Sequence, residues 1–201
     1  MSLWLLAWLI PASLSTLDND YVRISRDEAP CASAQAPECG DRVIVALGDI
    51  ELTADGSKRK LARGDIAVFG REATYAAPSG GSFFEVVIKP NHPAVQSPAE
   101  IIAADLNTLL YDGAEFFVFE EKLAPGETRP RHSHSQRVVI QLNRARLKQW
   151  PDGKPPILVE TVPDRANFSP PVIHTVKNIG EVPLRGIIVE FKPSARSAML
   201  R

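Results

Sequence analysis

The chain has 201 residues, which is long enough for one large domain or two small ones with buried cores. Lysine and arginine nearly balance aspartate and glutamate, and the formal net charge is −1. A chain so close to neutral is not expected to have the basic surface that binds nucleic acid or an anionic membrane. The composition therefore argues against both as partners. Seventeen prolines and many short runs of valine, isoleucine and phenylalanine predict an all-β protein of many short strands.

The first residues have the pattern of an export signal. Leu3–Ile10 is an eight-residue apolar run that is followed by Pro11 and several small residues. Its length matches the apolar core of a signal peptide and falls far short of the ~20 residues that a membrane span needs. We therefore expect residues 1–16 to be a signal peptide and the mature protein to be periplasmic or secreted. No lysine or arginine precedes the run, so the alternative is a first strand that stays attached in a cytoplasmic protein.

The two cysteines, Cys31 and Cys39, lie eight positions apart. In an exported protein they could form a disulfide that closes a small loop, which contributes about 2–3 kcal/mol in the chain-entropy model. In a cytoplasmic protein they would stay free thiols. A zinc site at this pair is not favoured, because neither a CxxC spacing nor a nearby histidine accompanies it.

An internal repeat divides the chain. Residues 29–47 align without a gap on residues 124–142 at a constant offset of 95. The preceding segments YVRI and FFVF also align, and each copy closes on a similar strand followed by proline. Self-similarity at this period indicates two copies of one domain. The predicted division is a first domain at 17–91, a linker at 92–110 and a second domain at 111–195.

The linker is the segment with a helical pattern. Ser97 and Pro98 suit the N-cap and the first position of a helix, and Glu100 suits its third position. The apolar residues of 101–110 roughly follow a helical stripe, so the sequence predicts a helix of about three turns that packs beside the two domains. His92, in the preceding turn, is expected to be a solvated loop residue.

Three histidines of the second copy form the candidate site. His132 and His134 stand two residues apart ahead of an aliphatic run, so on a strand both imidazoles project to one face. His174 supplies a third imidazole. Three neutral imidazoles can ligate a divalent transition metal, and Fe, Mn, Zn, Ni and Cu all suit this donor set. The alternative is that His132 and His134 are polar residues of an exposed loop.

The second copy also carries the motifs of a known family. Gly126 opens a Gly-x5-His-x-His motif that contains His132 and His134, and His174 opens a His-x3-Asn motif that ends at Asn178. On these motifs the chain resembles the cupin superfamily, and because it is duplicated it resembles a bicupin over nearly all of its mature length. The resemblance implies two tandem jelly-roll barrels of the double-stranded β-helix type, joined by the helical linker. It implies no particular reaction, since cupins host many chemistries.

The second copy departs from the family pattern at its fourth ligand. The family's glutamate would fall at Val138 or Val139, and neither side chain can bind a metal. Counting along the strand places Val138 on the same inward face as the histidines. Gln136 shares that face and is a candidate for a weak oxygen ligand.

The first copy lacks the ligand residues. Pro37 and Cys39 occupy the positions of the two paired histidines, and Tyr75 occupies the position of the third. We therefore expect a barrel that has kept its fold without a metal. The resemblance places Cys31 and Cys39 at the two ends of the ligand loop, where a disulfide would act as a structural staple.

Other polar residues lie near the motif. Arg129, Arg131 and Arg137 are candidates for holding an anionic substrate, or they are solvated residues of the rim. Asn178 is expected to hold a turn, and Gln141 is expected to face outward by its parity.

The sequence thus predicts an exported bicupin that binds a divalent metal through three histidines of its C-terminal barrel. The predicted activity is that of a small-molecule dioxygenase or isomerase. The alternative is a non-enzymatic cupin that binds a metal or a small ligand, or one with a structural role. A small organic molecule is the expected partner, and monomer and homodimer both remain open.

Overall fold

The computed structural model describes residues 15–33, 37–103 and 107–193. Within these ranges the chain has 17 strands and no helix, which confirms the all-β prediction. The predicted signal peptide lies outside the described residues except for its last two positions. In this described part of the chain, no helix is long and apolar enough to cross a bilayer.

The described strands divide between the two copies, with eight in the first and nine in the second. The first copy contains β1 (Ser15–Asp18), β2 (Val22–Arg26), β3 (Arg42–Ala46), β4 (Ile50–Ala54), β5 (Ser57–Leu61), β6 (Ile66–Phe69), β7 (Tyr75–Gly80) and β8 (Phe83–Ile88). The second copy contains β9 (Asn107–Asp112), β10 (Phe116–Leu123), β11 (Thr128–His134), β12 (Arg137–Gln141), β13 (Arg146–Pro151), β14 (Ile157–Glu160), β15 (Arg165–Ser169), β16 (Val172–Asn178) and β17 (Leu184–Phe191).

Each copy folds into two antiparallel sheets. The first has a five-stranded sheet of order β1-β2-β8-β3-β6 and a three-stranded sheet of order β5-β4-β7. The second has a five-stranded sheet of order β15-β12-β17-β10-β9 and a four-stranded sheet of order β11-β16-β13-β14. The order β2-β8-β3-β6 therefore recurs as β10-β17-β12-β15. This shared topology is the structural form of the sequence repeat.

The largest hydrophobic core lies between the two five-stranded sheets. Val43 and Val45 of β3 meet Val138 and Ile140 of β12 in this inter-barrel core, and all four are fully buried. The intervening residue Ile44 belongs to the separate core inside the first barrel. Because both faces of these sheets are covered, their strands are apolar at consecutive positions instead of alternating.

Polar and aromatic contacts extend this interface at its edges. The Arg63 guanidinium of the first copy donates a hydrogen bond of 2.6 Å to the Asp164 carboxylate of the second. Tyr21 stacks on Phe168 with ring centroids 5.3 Å apart. The two barrels are therefore packed back to back.

The first barrel contains a polar cluster beside its apolar core. A disulfide joins the buried residues Cys31 and Cys39, whose Cα atoms are 5.6 Å apart. The Arg23 guanidinium lies 2.9 Å from the Cys31 Sγ. The Tyr75 hydroxyl donates to the buried Glu85 carboxylate, and burial raises the pKa of Tyr75 well above its usual value. Where the second copy has the histidine-bearing strand β11, the first copy thus has a disulfide-closed loop.

The predicted linker helix is wrong. The backbone N–H of Ser133 donates to the Ile102 carbonyl at 3.0 Å, and the Ile102 N–H donates back to the Ser133 Oγ at 2.8 Å. The Gln96 N–H donates to the Gln136 Oε1 at 2.8 Å. These backbone groups are committed to β11 and its following corner, so they cannot form the i to i−4 bonds of a helix. The described residues 92–103 form neither helix nor strand, and the last four positions of the predicted linker belong to the edge strand β9.

The inter-barrel core predicts how the chain unfolds. Replacing the fully buried Ile140 by alanine should destabilise the protein by about 2–5 kcal/mol, because it leaves a cavity between the sheets. Ile157→Ala on the exposed side of β14 should cost less than about 1 kcal/mol. Urea unfolding of both variants measures the difference. A single transition is expected in each case, and two separate transitions would show that the barrels do not share a core.

Candidate metal centre

Two adjacent strands bring the three histidines together. β11 and β16 pair antiparallel in the four-stranded sheet, with His132 directly opposite His174. His134 lies two residues further along β11, on the same face. All three side chains are buried, and one ring nitrogen from each lies within 4.8 Å of the others. The structure therefore brings together the three residues that the sequence selected as ligands.

Hydrogen bonds fix which ring nitrogen of two histidines carries the proton. The Nδ1 of His132 lies 2.8 Å from the Pro130 carbonyl oxygen. The Nδ1 of His134 lies 2.7 Å from the Glu190 Oε2. The Pro130 carbonyl only accepts, so the His132 Nδ1 is a donor, and the His134 Nδ1 is a donor when the Glu190 carboxyl is ionised. The Nε2 lone pairs of His132 and His134 are left available for a ligand.

His174 is the third member of the group, and the hydrogen bonding of its ring is incomplete. Its Nε2 lies 3.1 Å from the Nε2 of His132. Its Nδ1 is buried and has no hydrogen-bond partner among the described residues. Two imidazole nitrogens held at about 2.05 Å from one tetrahedral ion would be about 3.3 Å apart. The spacing and the donor set therefore fit a transition-metal ion.

Burial keeps the three imidazoles neutral. Loss of hydration lowers the pKa of His132 to about 4, that of His134 to about 3 and that of His174 to about 2. The positive charges of two nearby arginines, Arg129 and Arg137, lower all three pKa values further. Only a neutral imidazole has a lone pair to give to a metal. The group is therefore ready to ligate a cation at neutral pH without first losing a proton.

Glu190 is a functional residue that the sequence reasoning missed. It lies on β17 and accepts hydrogen bonds from the His134 Nδ1 and, at 2.7 Å, from the Ser135 N–H. Burial raises the pKa of its carboxyl to about 7. A carboxylate behind a ligating histidine fixes the ring orientation and the tautomer. The available signal was a lone charged residue in the otherwise apolar run IIVEF.

The three arginines near the motif have separate surroundings. Arg129 is fully buried and donates to the Glu121 carboxylate, and Arg131 is exposed and pairs with Asp152 at 2.8 Å. Arg137 is buried and donates to two backbone carbonyls of the neighbouring loops at 2.8 and 3.2 Å. The structure does not gather them into one anion clamp.

The predicted orientations of Val138 and Gln141 are wrong. Val138 is fully buried in the inter-barrel core, away from the histidines. The corner at Ser135 and Gln136 separates β11 from β12, and the two strands belong to different sheets. The alternation of inward and outward side chains along β11 therefore does not continue across this corner into β12. The face of β12 toward the histidines is that of Arg137 and Gln141.

Gln136 and Asn178 have other partners than the ligand group. The Gln136 Oε1 accepts the linker hydrogen bond from Gln96 described above. The Asn178 Nδ2 donates to the Leu123 carbonyl at 3.0 Å, and its Oδ1 accepts from the Gly180 N–H at 3.0 Å. Asn178 therefore holds the turn that follows β16.

Comparisons with known proteins bear on the fold. No protein-family model and no curated protein matches the sequence. A cupin 2 conserved barrel domain protein from Leptotrichia buccalis superposes with a TM-score of 0.52 at 18% identity, covering 88% of this chain and 86% of its own. A Pseudomonas aeruginosa protein named for induction by glyoxylate gives 0.60 at 15% identity, covering 85% of this chain and 73% of its own. AerE from Microcystis aeruginosa gives 0.52 at 14% identity, covering 87% and 94%.

Identities this low establish the fold alone, and the fold agrees with the topology of the sheets. Each copy is a two-sheet antiparallel barrel, and three buried histidines of the second copy could hold a metal ion. The chain therefore has the cupin fold, as two jelly-roll barrels in tandem.

Proposed function

We propose that the C-terminal barrel holds a divalent transition metal through His132, His134 and His174 and acts on a small organic molecule. The observation that carries this proposal is the convergence of three buried, neutral imidazoles within 4.8 Å. When bound, the ion would supply a Lewis acid with open coordination positions. The reaction class is that of a metal-dependent oxygenase or isomerase.

The chain's own residues prepare this site. Glu190 holds the ring of His134 in one orientation, and the Pro130 carbonyl does the same for His132. Phe119 stacks against the His134 ring with centroids 6.1 Å apart and planes 5° apart. This apolar neighbour keeps bulk water from one side of the ligand and contributes to its lowered pKa.

A cavity of about 470 Å³ lies beside the site, and His134 of the ligand group is part of its lining. Its lining also includes Glu190, which is hydrogen-bonded to His134. The volume lies within the ~300–1,000 Å³ that small-molecule sites usually have. A cavity whose lining includes a metal ligand supports an activity on a bound small molecule over a purely structural role.

Metal content tests the proposal directly. Protein prepared without a histidine tag should hold one divalent transition-metal ion per chain, and His132→Ala and His174→Ala should each lose it. His92→Ala is the matched control, because His92 stacks on Tyr21 outside the group and should leave the metal content unchanged. Inductively coupled plasma mass spectrometry measures the ions. Negligible metal in the wild type, after reconstitution with each candidate ion, would contradict the proposal.

Turnover separates an enzyme from a binding protein that uses the same site. Metal-loaded protein would be followed by oxygen uptake and by product analysis with a panel of small organic substrates. Turnover that is lost in His174→Ala supports the enzyme. Metal binding without turnover on any compound would support the non-enzymatic alternative.

Glu190 should matter for affinity although it is not a ligand. Above pH 7, where the Glu190 carboxyl is mostly ionised, Glu190→Gln replaces a charged acceptor behind His134 by a neutral one, so metal affinity should fall about 10- to 100-fold. A competition titration against a chromogenic chelator measures this affinity. Glu181→Gln on the exposed surface is the control and should not change it. An unchanged affinity in Glu190→Gln would show that the His134 ring is held by packing alone.

We further propose that the protein is exported to the periplasm or secreted. The apolar run Leu3–Ile10 supports this location, and the disulfide between Cys31 and Cys39 is of the kind that persists in oxidising compartments.

Export predicts a cleaved chain. Native protein recovered from its own host should begin near Thr16 and should react with a thiol reagent only after reduction. N-terminal sequencing and thiol titration measure both properties. Protein that starts at Met1 in the cytoplasmic fraction, with two free thiols, would contradict export.

A further inference from the structure

The walls of the cavity beside the metal centre are apolar and partly aromatic. Phe117 and Phe119 of β10 form one side, and Leu109 of β9 and Ile101 of the linker lie near the opening. Leu109 and Ile101 are 60% and 71% exposed, so large apolar side chains remain in contact with water at this opening. Exposed apolar surface around a concave site is typical of a place where a ligand binds.

Three rings form a continuous wall that leads to the metal centre. Phe117 stacks on Phe119 with centroids 5.6 Å apart and planes 22° apart. Phe119 stacks in turn on His134, at 6.1 Å and 5°. Aromatic side chains in a cavity wall favour another flat ring beside them, because offset-stacked or edge-to-face contacts add to the burial of apolar area.

The described side chains that line this cavity give an anion no cationic partner. Glu190 is the acidic residue in the described lining, and the described lining includes no lysine or arginine. Arg129 is paired with Glu121, Arg131 with surface carboxylates, and Arg137 with backbone carbonyls. A carboxylate held between the apolar walls, out of reach of a bound metal ion, would lose its hydration without a cationic side chain to replace it.

We infer that the cavity takes a planar, uncharged aromatic molecule, which would be the substrate class of the site. The role of this molecule as a substrate rests on the proposed function. Its chemical class rests on the residues of the cavity walls. It selects phenol-like or other neutral ring compounds over keto acids. The linker contributes to the selection, since Ile101 and Ile102 are part of the wall.

Three bicyclic probes of similar size test the inference by isothermal titration calorimetry. 2-Naphthol is neutral and flat, 2-naphthoate adds a charge, and 2-decalol is neutral but not flat. 2-Naphthol should bind at least about tenfold more tightly than either of the others. Equal or tighter binding of 2-naphthoate or 2-decalol, or no binding of 2-naphthol, would overturn the inference.

A variant identifies the site of binding. Phe117 is only half-buried, so Phe117→Ala should fold, and it should weaken 2-naphthol binding about tenfold by removing the outer ring of the wall. Trp150→Ala is the matched control, because Trp150 is a half-buried aromatic residue of β13 outside the cavity, and its loss should have no effect. An unchanged affinity in Phe117→Ala would also overturn the inference.

Metal removal separates this inference from the proposed function. The titrations would be repeated on protein treated with a chelator and assayed for metal. Phe117-dependent binding of 2-naphthol in protein that never holds a metal would support the ligand class and contradict the metal-dependent function. A bound metal together with no preference for 2-naphthol would support the metal site and overturn the ligand class.

Discussion

The packing of the two five-stranded sheets against each other is the constraint on which the rest of the structure depends. It buries one face of β3, β8, β12 and β17 between the barrels and turns the opposite face into each barrel's own interior. On β17 this alternation assigns Val189 and Phe191 to the shared core and Glu190 to the barrel interior. Burial of the apolar residues on either side of Glu190 therefore turns Glu190, which orients His134, toward the barrel interior.

The two barrels use the same framework for different interiors. In the second, a four-stranded sheet supplies three histidines, and a carboxylate on the facing sheet holds one of them. In the first, the corresponding segment is a loop closed by Cys31 and Cys39, and Tyr75 hydrogen-bonds to Glu85. A covalent link and a buried polar pair thus take the place of a ligand group. The faces of the five-stranded sheets that meet between the barrels are apolar in both copies, because they pack together in the shared core.

Much of this could be predicted from the sequence because the signals are local or repeated. Short apolar runs, the offset of 95 and the spacing of His132, His134 and His174 indicated strands, two barrels and a ligand group. The side-chain orientation beyond the corner at Ser135 could not be predicted, because the alternation of side chains can be counted only within one strand. Glu190 and the cavity could not be predicted either, because they depend on which strands become neighbours across two sheets. The linker forms no helix in its described residues because its backbone hydrogen bonds go to a distant strand, a tertiary effect that outweighs helix propensity.

The back-to-back contact also has a thermodynamic consequence. Because both faces belong to one chain, the association is intramolecular and the effective concentration of the partner face is set by the linker. Its stabilising effect therefore does not depend on how much protein is present, unlike that of an obligate dimer. Dilution cannot separate the barrel that carries the histidines from the one that supports it. The first barrel is thus a permanently tethered partner of the second.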